Sequence, residues 1–203
     1  MLPNPLAAVQ NPGRCLAVLA LWSGAFAVAL ALIFHGKIAL LELAKNAAHA
    51  NEIVKGFAGQ GNPIWQLYAD FGFIVCYATL LAFCCFRAAV LASAAGWRTL
   101  ATVSVALGWC QWLAGGLDAV ENVALLQFLN GVSGDAAIAV SHWCAGIRFV
   151  LACLGCLVAG YVFLRARGSV SRRTEVVLAW LLICAGLYFL WILRAGLTAW
   201  PPG

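Results

Sequence analysis

Five long apolar runs, each closed off by basic, proline or glycine residues, leave this chain one kind of fold. A helix needs roughly 20 consecutive apolar residues to cross a bilayer. The runs 16–34, 64–86, 100–120 (extending towards 129), 136–164 and 176–193 approach or exceed that length. They use up most of the 203 residues and leave no room for a soluble domain. Only 9% of the residues are charged and 65% are hydrophobic, whereas a soluble domain carries about 25% charged residues. Such a composition excludes a disordered chain, a nucleic-acid-binding domain and a soluble enzyme. The expected fold is all-α: an integral membrane bundle of five transmembrane helices, forming a single membrane domain over residues 1–203.

Local signals mark the ends of the runs. Asn62-Pro63 opens the second, where a proline at the first helical position loses no hydrogen bond. Trp97-Arg98 precedes the third, and Asn130-Gly131 breaks the chain before the fourth. The first run follows Arg14 and exceeds the core of a signal peptide, so a retained anchor is expected. Between the first two runs, Glu42, Lys45, Asn46, His49 and Glu52 recur at helical spacing, with Leu40, Leu43, Ala44, Ala47 and Val54 largely opposite. This predicts an amphipathic helix over about 37–57, lying at the membrane surface.

Lys and Arg fall unevenly on the two sides of the five-span arrangement. Arg14, Arg87, Arg98, Arg165, Arg167, Arg172 and Arg173 share one side; Lys37, Lys45, Lys55 and Arg194 share the other. The richer side is cytoplasmic by the positive-inside rule. The N-terminus is then expected inside, the C-terminus and the amphipathic helix outside, and a bacterial inner membrane is the expected location.

This topology gathers the costly residues into the outer half of the bilayer. At a rise of about 1.5 Å per residue, Asp70 and His142 lie roughly 9 Å deep and Arg148 roughly 18 Å deep. Asp118, Glu121 and Asn122 follow i, i+3, i+4 spacing, so they share one helix face. Gln111 and Gly115 extend that face inward, and Gly115 with Gly116 lets a neighbouring helix approach closely. Asp70 and Tyr77 share a face of the second run. His142 points about 120° away from Arg148 on the fourth, as six residues at 3.6 per turn require.

Arg148 is the most informative residue. A charge near mid-membrane costs roughly 2.5–3.5 kcal/mol on insertion scales, and a guanidinium cannot shed its proton to escape. It needs a carboxylate, and Asp118 or Glu121 is the expected partner. The plainest role for such a pair is a staple between two helices. However, the carboxyls of Asp70, Asp118 and Glu121 outnumber the one guanidinium. That surplus cannot stay buried, dry and charged, so a carboxyl keeps its proton, a cation binds, or water enters.

The leading expectation is therefore a polytopic membrane protein with a polar pocket open to the extracytoplasmic side, binding a small ligand, cation or proton, with proton-linked transport as the associated activity. Asp70, Asp118, Glu121, Asn122, His142 and Arg148 are the candidate binding residues, and Gln111, Trp112 and Tyr77 the candidate lining. Two alternatives stay open. One is an intramembrane enzyme acting on a lipid or quinone, in which a carboxylate and His142 exchange protons. The other is an accessory or assembly subunit of a larger membrane complex; a homo-oligomer is also compatible with the short chain.

Other patterns carry less. Cys153 and Cys156 form a C-x-x-C pair deep in the fourth run, and most of the nine cysteines lie inside apolar runs or near their ends, as expected of small hydrophobes. His35 and His142 are a poor haem pair, and the acids with His142 lack a metal-binding spacing. No cofactor and no metal is assigned. Trp65, Tyr68, Trp143 and Trp191 towards one side, with Trp97 and Trp180 towards the other, suit interfacial belts.

Overall fold

The computed structural model describes residues 41–56, 62–166 and 173–198. Five helices lie among them: α1 (Ala47–Lys55), α2 (Pro63–Ala94), α3 (Arg98–Leu129), α4 (Asp135–Arg165) and α5 (Arg173–Thr198). The helices α2, α3 and α4 are long and apolar enough to cross a membrane. At 31 or 32 residues each, they are about 46–48 Å long and exceed the roughly 30 Å hydrocarbon core. In α5 the corresponding apolar stretch is shorter, Ala179–Trp191.

Their ends follow the sequence signals. The side chain of Asn62 accepts from the backbone of Ile64, with Pro63 at the first helical position of α2. The helices α2 and α3 both close in the same way. Gly96 (φ +78°) and Gly131 (φ +70°) take the left-handed conformation that a side chain resists. The next residue in each case, Trp97 or Val132, donates back to Ala92 or Gln127 at 2.8 and 2.9 Å.

α4 is central: it packs against α2, α3 and α5, while α2 and α3 pack against each other. Small residues set these contacts. A Cβ on Gly115 would meet that of Ala78 at 2.8 Å, one on Gly160 would meet Ile183 at 2.8 Å, and one on Gly186 would meet Leu157 at 2.9 Å. Gly116, in contrast, faces open space. Cys84, Cys85 and Cys156 are buried as free thiols among Leu81, Ala152, Ala159 and Phe163.

The polarity of the bundle is inverted relative to a water-soluble protein. Trp109, Leu113, Val120 and Val123 of α3 are exposed, as are Trp143, Ile147, Val150 and Leu154 of α4. Gln111, Asp118, Glu121 and Asn122 of α3 are completely buried. An apolar exterior around a polar interior suits lipid as solvent. This is an all-α, membrane-embedded, multi-pass helical bundle with a buried arginine.

The expected five spans with a separate interfacial helix are not what folds. Among the described residues, three helices rather than five meet the spanning criterion, and no sixth helix lies at the surface. The first apolar run, 16–34, falls outside the described residues. The amphipathic stretch also differs. Its helix is nine residues long, Ala47–Lys55, not the expected 37–57. The chain turns at Leu43, where Ala44 N–H donates to Leu41 C=O at 3.0 Å. It is then fully extended at Asn46 (φ −157°, ψ 171°), whose side chain caps α1 by accepting from His49 N–H. Leu41, Ala44 and Ala50 are buried against Leu67, Leu125 and Ile138, and Leu43 packs on Ala145 and Phe149. The apolar side of the segment is covered by the bundle.

A carboxylate from another helix completes the start of α1: Asp135, the first residue of α4, accepts from Ala47 N–H at 2.8 Å. Removal of a capping acceptor costs about 0.5–2 kcal/mol. The substitution Asp135→Ala is expected to weaken hydrogen-exchange protection in α1 by that amount while leaving α2 and α3 unchanged.

Candidate functional site

Three helices and the segment before α1 bring their polar groups to one place. Arg148 enters from α4 and is 7% exposed. One terminal nitrogen, Nη1, donates to Asp118 Oδ1 of α3. The other, Nη2, donates to Glu42 Oε2 at 2.8 Å and lies 3.4 Å from Glu121 Oε2. The guanidinium carbon also stands 4.4 Å from the Phe149 ring centroid, within the range of a cation–π contact. From α2, Tyr77 donates its hydroxyl to Asp118 Oδ2 at 2.6 Å. Asp70, one heptad earlier, accepts from Asn122 Nδ2 at 2.8 Å.

Helix geometry explains the convergence. Asp118, Glu121 and Asn122 share a face of α3, and Asp70 and Tyr77 share a face of α2. The close approach at Gly115 and Ala78 holds these two faces together beside Asp118 and Tyr77. Asp118 is then gripped from both sides, by the α2 phenol and the α4 guanidinium.

The site contains one carboxyl more than the spacing suggested. Glu42 is buried and bonded to Arg148 across more than a hundred residues of sequence. A helical wheel over 37–57 puts it on a hydrated face with Lys45, His49 and Glu52. The turn at Leu43 and the extended Asn46 break that phase, so Glu42 points inward independently of α1. The available signal was Asn46 itself, a good N-cap residue placed where a new helix starts.

Hydrogen bonding in the cluster is incomplete. Neither oxygen of Glu121 has a hydrogen-bond partner, and neither do Asn122 Oδ1 and Arg148 Nε, all of them buried. Such groups are costly in a dry interior. No three of the described His, Cys, Asp and Glu side chains are placed to hold a metal ion.

The other expected residues take up different positions. Gln111 is completely buried one heptad inward of Asp118. It donates to Leu151 C=O of α4 at 2.9 Å and to Leu107 C=O at 3.3 Å. Gly155 makes room for it, since a Cβ there would meet the Gln111 amide carbon at 2.9 Å. Trp112 is exposed and packs edge-on against Phe86 and Trp109, with centroids 5.8 and 5.0 Å away. His142 is half-buried with its ring edge-on to Trp143, a third of a turn round α4 from Arg148 as its spacing requires.

No protein-family model, curated protein or solved structure matches the chain. The site is therefore read from its own chemistry.

Proposed function

We propose that this protein takes up and releases protons at the Glu42–Asp70–Asp118–Glu121 cluster, from the extracytoplasmic side, as the proton-binding step of proton-linked transport. The observation that carries this reading is the imbalance at Arg148. Three carboxyls, Glu42, Asp118 and Glu121, surround one guanidinium in a low-dielectric interior, with Asp70 beside them on Asn122, and Glu121 has no hydrogen bond at either oxygen. Three buried negative charges and a half-buried fourth against one positive charge is an arrangement that desolvation forbids. Protons are the smallest species that can neutralise the surplus in so packed a site. The assignment of the side is supported by the Lys and Arg distribution, read with the positive-inside rule.

The roles follow from the contacts. Arg148 fixes Asp118 and sets the field felt by the other acids, Tyr77 and Asn122 hold Asp118 and Asp70 in place, and Glu121 is the acceptor left open for a proton. Infrared difference spectroscopy on the purified protein between mildly acidic and mildly alkaline pH tests the reading. The wild type is expected to show a protonated-carboxyl band that disappears on raising the pH, and Glu121→Gln to remove most of it. Absence of a titrating carboxyl band in the wild type rejects the proposal.

A further inference from the structure

Glu42 differs from the other three carboxyls in what carries it. Asp70, Asp118 and Glu121 belong to helices of 32 residues that are locked together by close glycine contacts. Glu42 belongs to the segment 41–56: Leu41 and Glu42 are helical, the chain turns at Leu43, and the nine-residue α1 follows. Among the described residues, what holds the segment is an apolar patch to which it contributes Leu41, Ala44, Ala50, Ile53 and Val54, together with the Asp135 cap and the bond from Arg148.

Arg148 has a replacement acceptor ready. Nη2, which Glu42 occupies at 2.8 Å, lies 3.4 Å from Glu121 Oε2, and that oxygen makes no hydrogen bond. If Glu42 withdraws, a small shift gives Nη2 to Glu121, while Nη1 keeps Asp118. The guanidinium is not stranded in either arrangement, and Glu42 reaches water instead of remaining buried. Two arrangements that satisfy the same donor are what a two-state element requires.

We propose that Glu42 is a movable carboxyl of the site, and that residues 41–56 form a strap which closes the cluster while Glu42 sits on Arg148 and opens it to water when Glu121 takes that place. This rests on the proton-binding reading above and adds the route by which protons arrive.

The direction with pH follows from the charges around Glu42. Facing it are Arg148 from α4, Asp118 and Glu121 from α3 and, at longer range, Asp70 from α2, with Lys45 and His49 on its own segment. Each proton lost from the cluster adds negative charge beside Glu42, and Glu42 is the one acid of the four not carried on α2, α3 or α4. Burial pushes the Glu42 carboxyl up, against the opposite pull of Arg148. An acid that binds its proton more tightly in the closed state than in water stabilises closure at low pH and loses that stabilisation as pH rises. The strap is thus closed in acid and open in alkali.

Hydrogen–deuterium exchange of the full-length protein in lipid nanodiscs, corrected for intrinsic exchange, reads the strap directly. Protection of the α1 amides in the wild type is expected to fall about tenfold or more from mildly acidic to mildly alkaline pH, the change that one unit of differential proton affinity produces. The amides of α2 and α3 should stay constant. Glu42→Gln keeps an acceptor for Arg148 but cannot titrate, so the pH slope of its α1 protection should be clearly shallower than in the wild type, the remainder coming from competition by Glu121; Glu52→Gln, on the exposed side of α1, should behave as wild type. An unchanged pH slope in E42Q overturns the strap. So does flat α1 protection in a wild type whose carboxyl band still titrates, and that result leaves the proton-binding reading intact. Absence of any titrating carboxyl overturns both.

Discussion

Arg148→Met is expected to be the most damaging single change in the protein. Methionine matches the stem of arginine but removes every donor, leaving Asp118, Glu42 and Glu121 without their shared cation. Removing one partner of a buried ion pair costs about 3–5 kcal/mol, out of a total stability of about 5–15 kcal/mol for a typical fold. The variant should therefore melt far below wild type or fail to be recovered in monodisperse form. The sign of its pH dependence is specific. Without the guanidinium, the folded cluster must retain protons that the unfolded chain gives up, so stability falls as pH rises. A thermal-melting series in detergent should show R148M approaching wild type in acid and departing from it in alkali. Arg148→Lys keeps the charge but reaches as a single point and cannot bridge Asp118 and Glu42 together, so it should fall between. An R148M protein of wild-type stability at alkaline pH would show that the cluster is not organised by this residue.

The prominence of Arg148 was legible in the sequence because its cost is local. A charge deep in an apolar run needs a partner wherever the other helices lie, and the i, i+3 acids of α3, Asp118 and Glu121, were the nearest supply. Helical period also placed Asp70 and Tyr77 on one face and turned His142 away. Those inferences needed only a continuous helix. Glu42 was not legible for the converse reason: its direction depends on a turn at Leu43 and an extended residue at Asn46, and one break in a helix resets the phase of everything before it. The surface position of the amphipathic stretch failed in the same way. Its apolar side was read as facing lipid, whereas Leu67, Leu125 and Ile138 cover it. Amphipathicity shows that a face must be buried and leaves open what buries it. Trp112 illustrates a third limit. Depth along a helix was readable, but the side of α3 facing Phe86 rather than Asp118 depends on how the helices are rotated against each other.

Gly115→Leu should dismantle the site without touching any of its polar residues. The added Cβ alone would sit 2.8 Å from the Ala78 Cβ and 3.5 Å from Ile74, and Ala78 has no rotamer with which to yield. The helices α2 and α3 must separate. Tyr77 immediately precedes Ala78, and Asp118 lies three residues after Gly115, so the 2.6 Å phenol–carboxylate bond is the first contact to open. The 2.8 Å bond from Asn122 to Asp70, one turn further on, follows. Overpacking costs about 1–3 kcal/mol, and each buried polar group left unsatisfied adds about 1–3 kcal/mol. The melting temperature should drop steeply, and the titrating carboxyl band should shift as Asp70 and Asp118 lose their donors. Gly116→Leu supplies the control. Its Cβ meets nothing within 4 Å, and it faces away from α2, so leucine there should change stability by no more than about 0.5 kcal/mol. The two glycines are adjacent, have the same helical surroundings and would gain the same side chain. If both variants lose stability equally, the cause is glycine replacement itself and not the α2–α3 contact, and the close approach at Gly115 would not be what holds the two polar faces together.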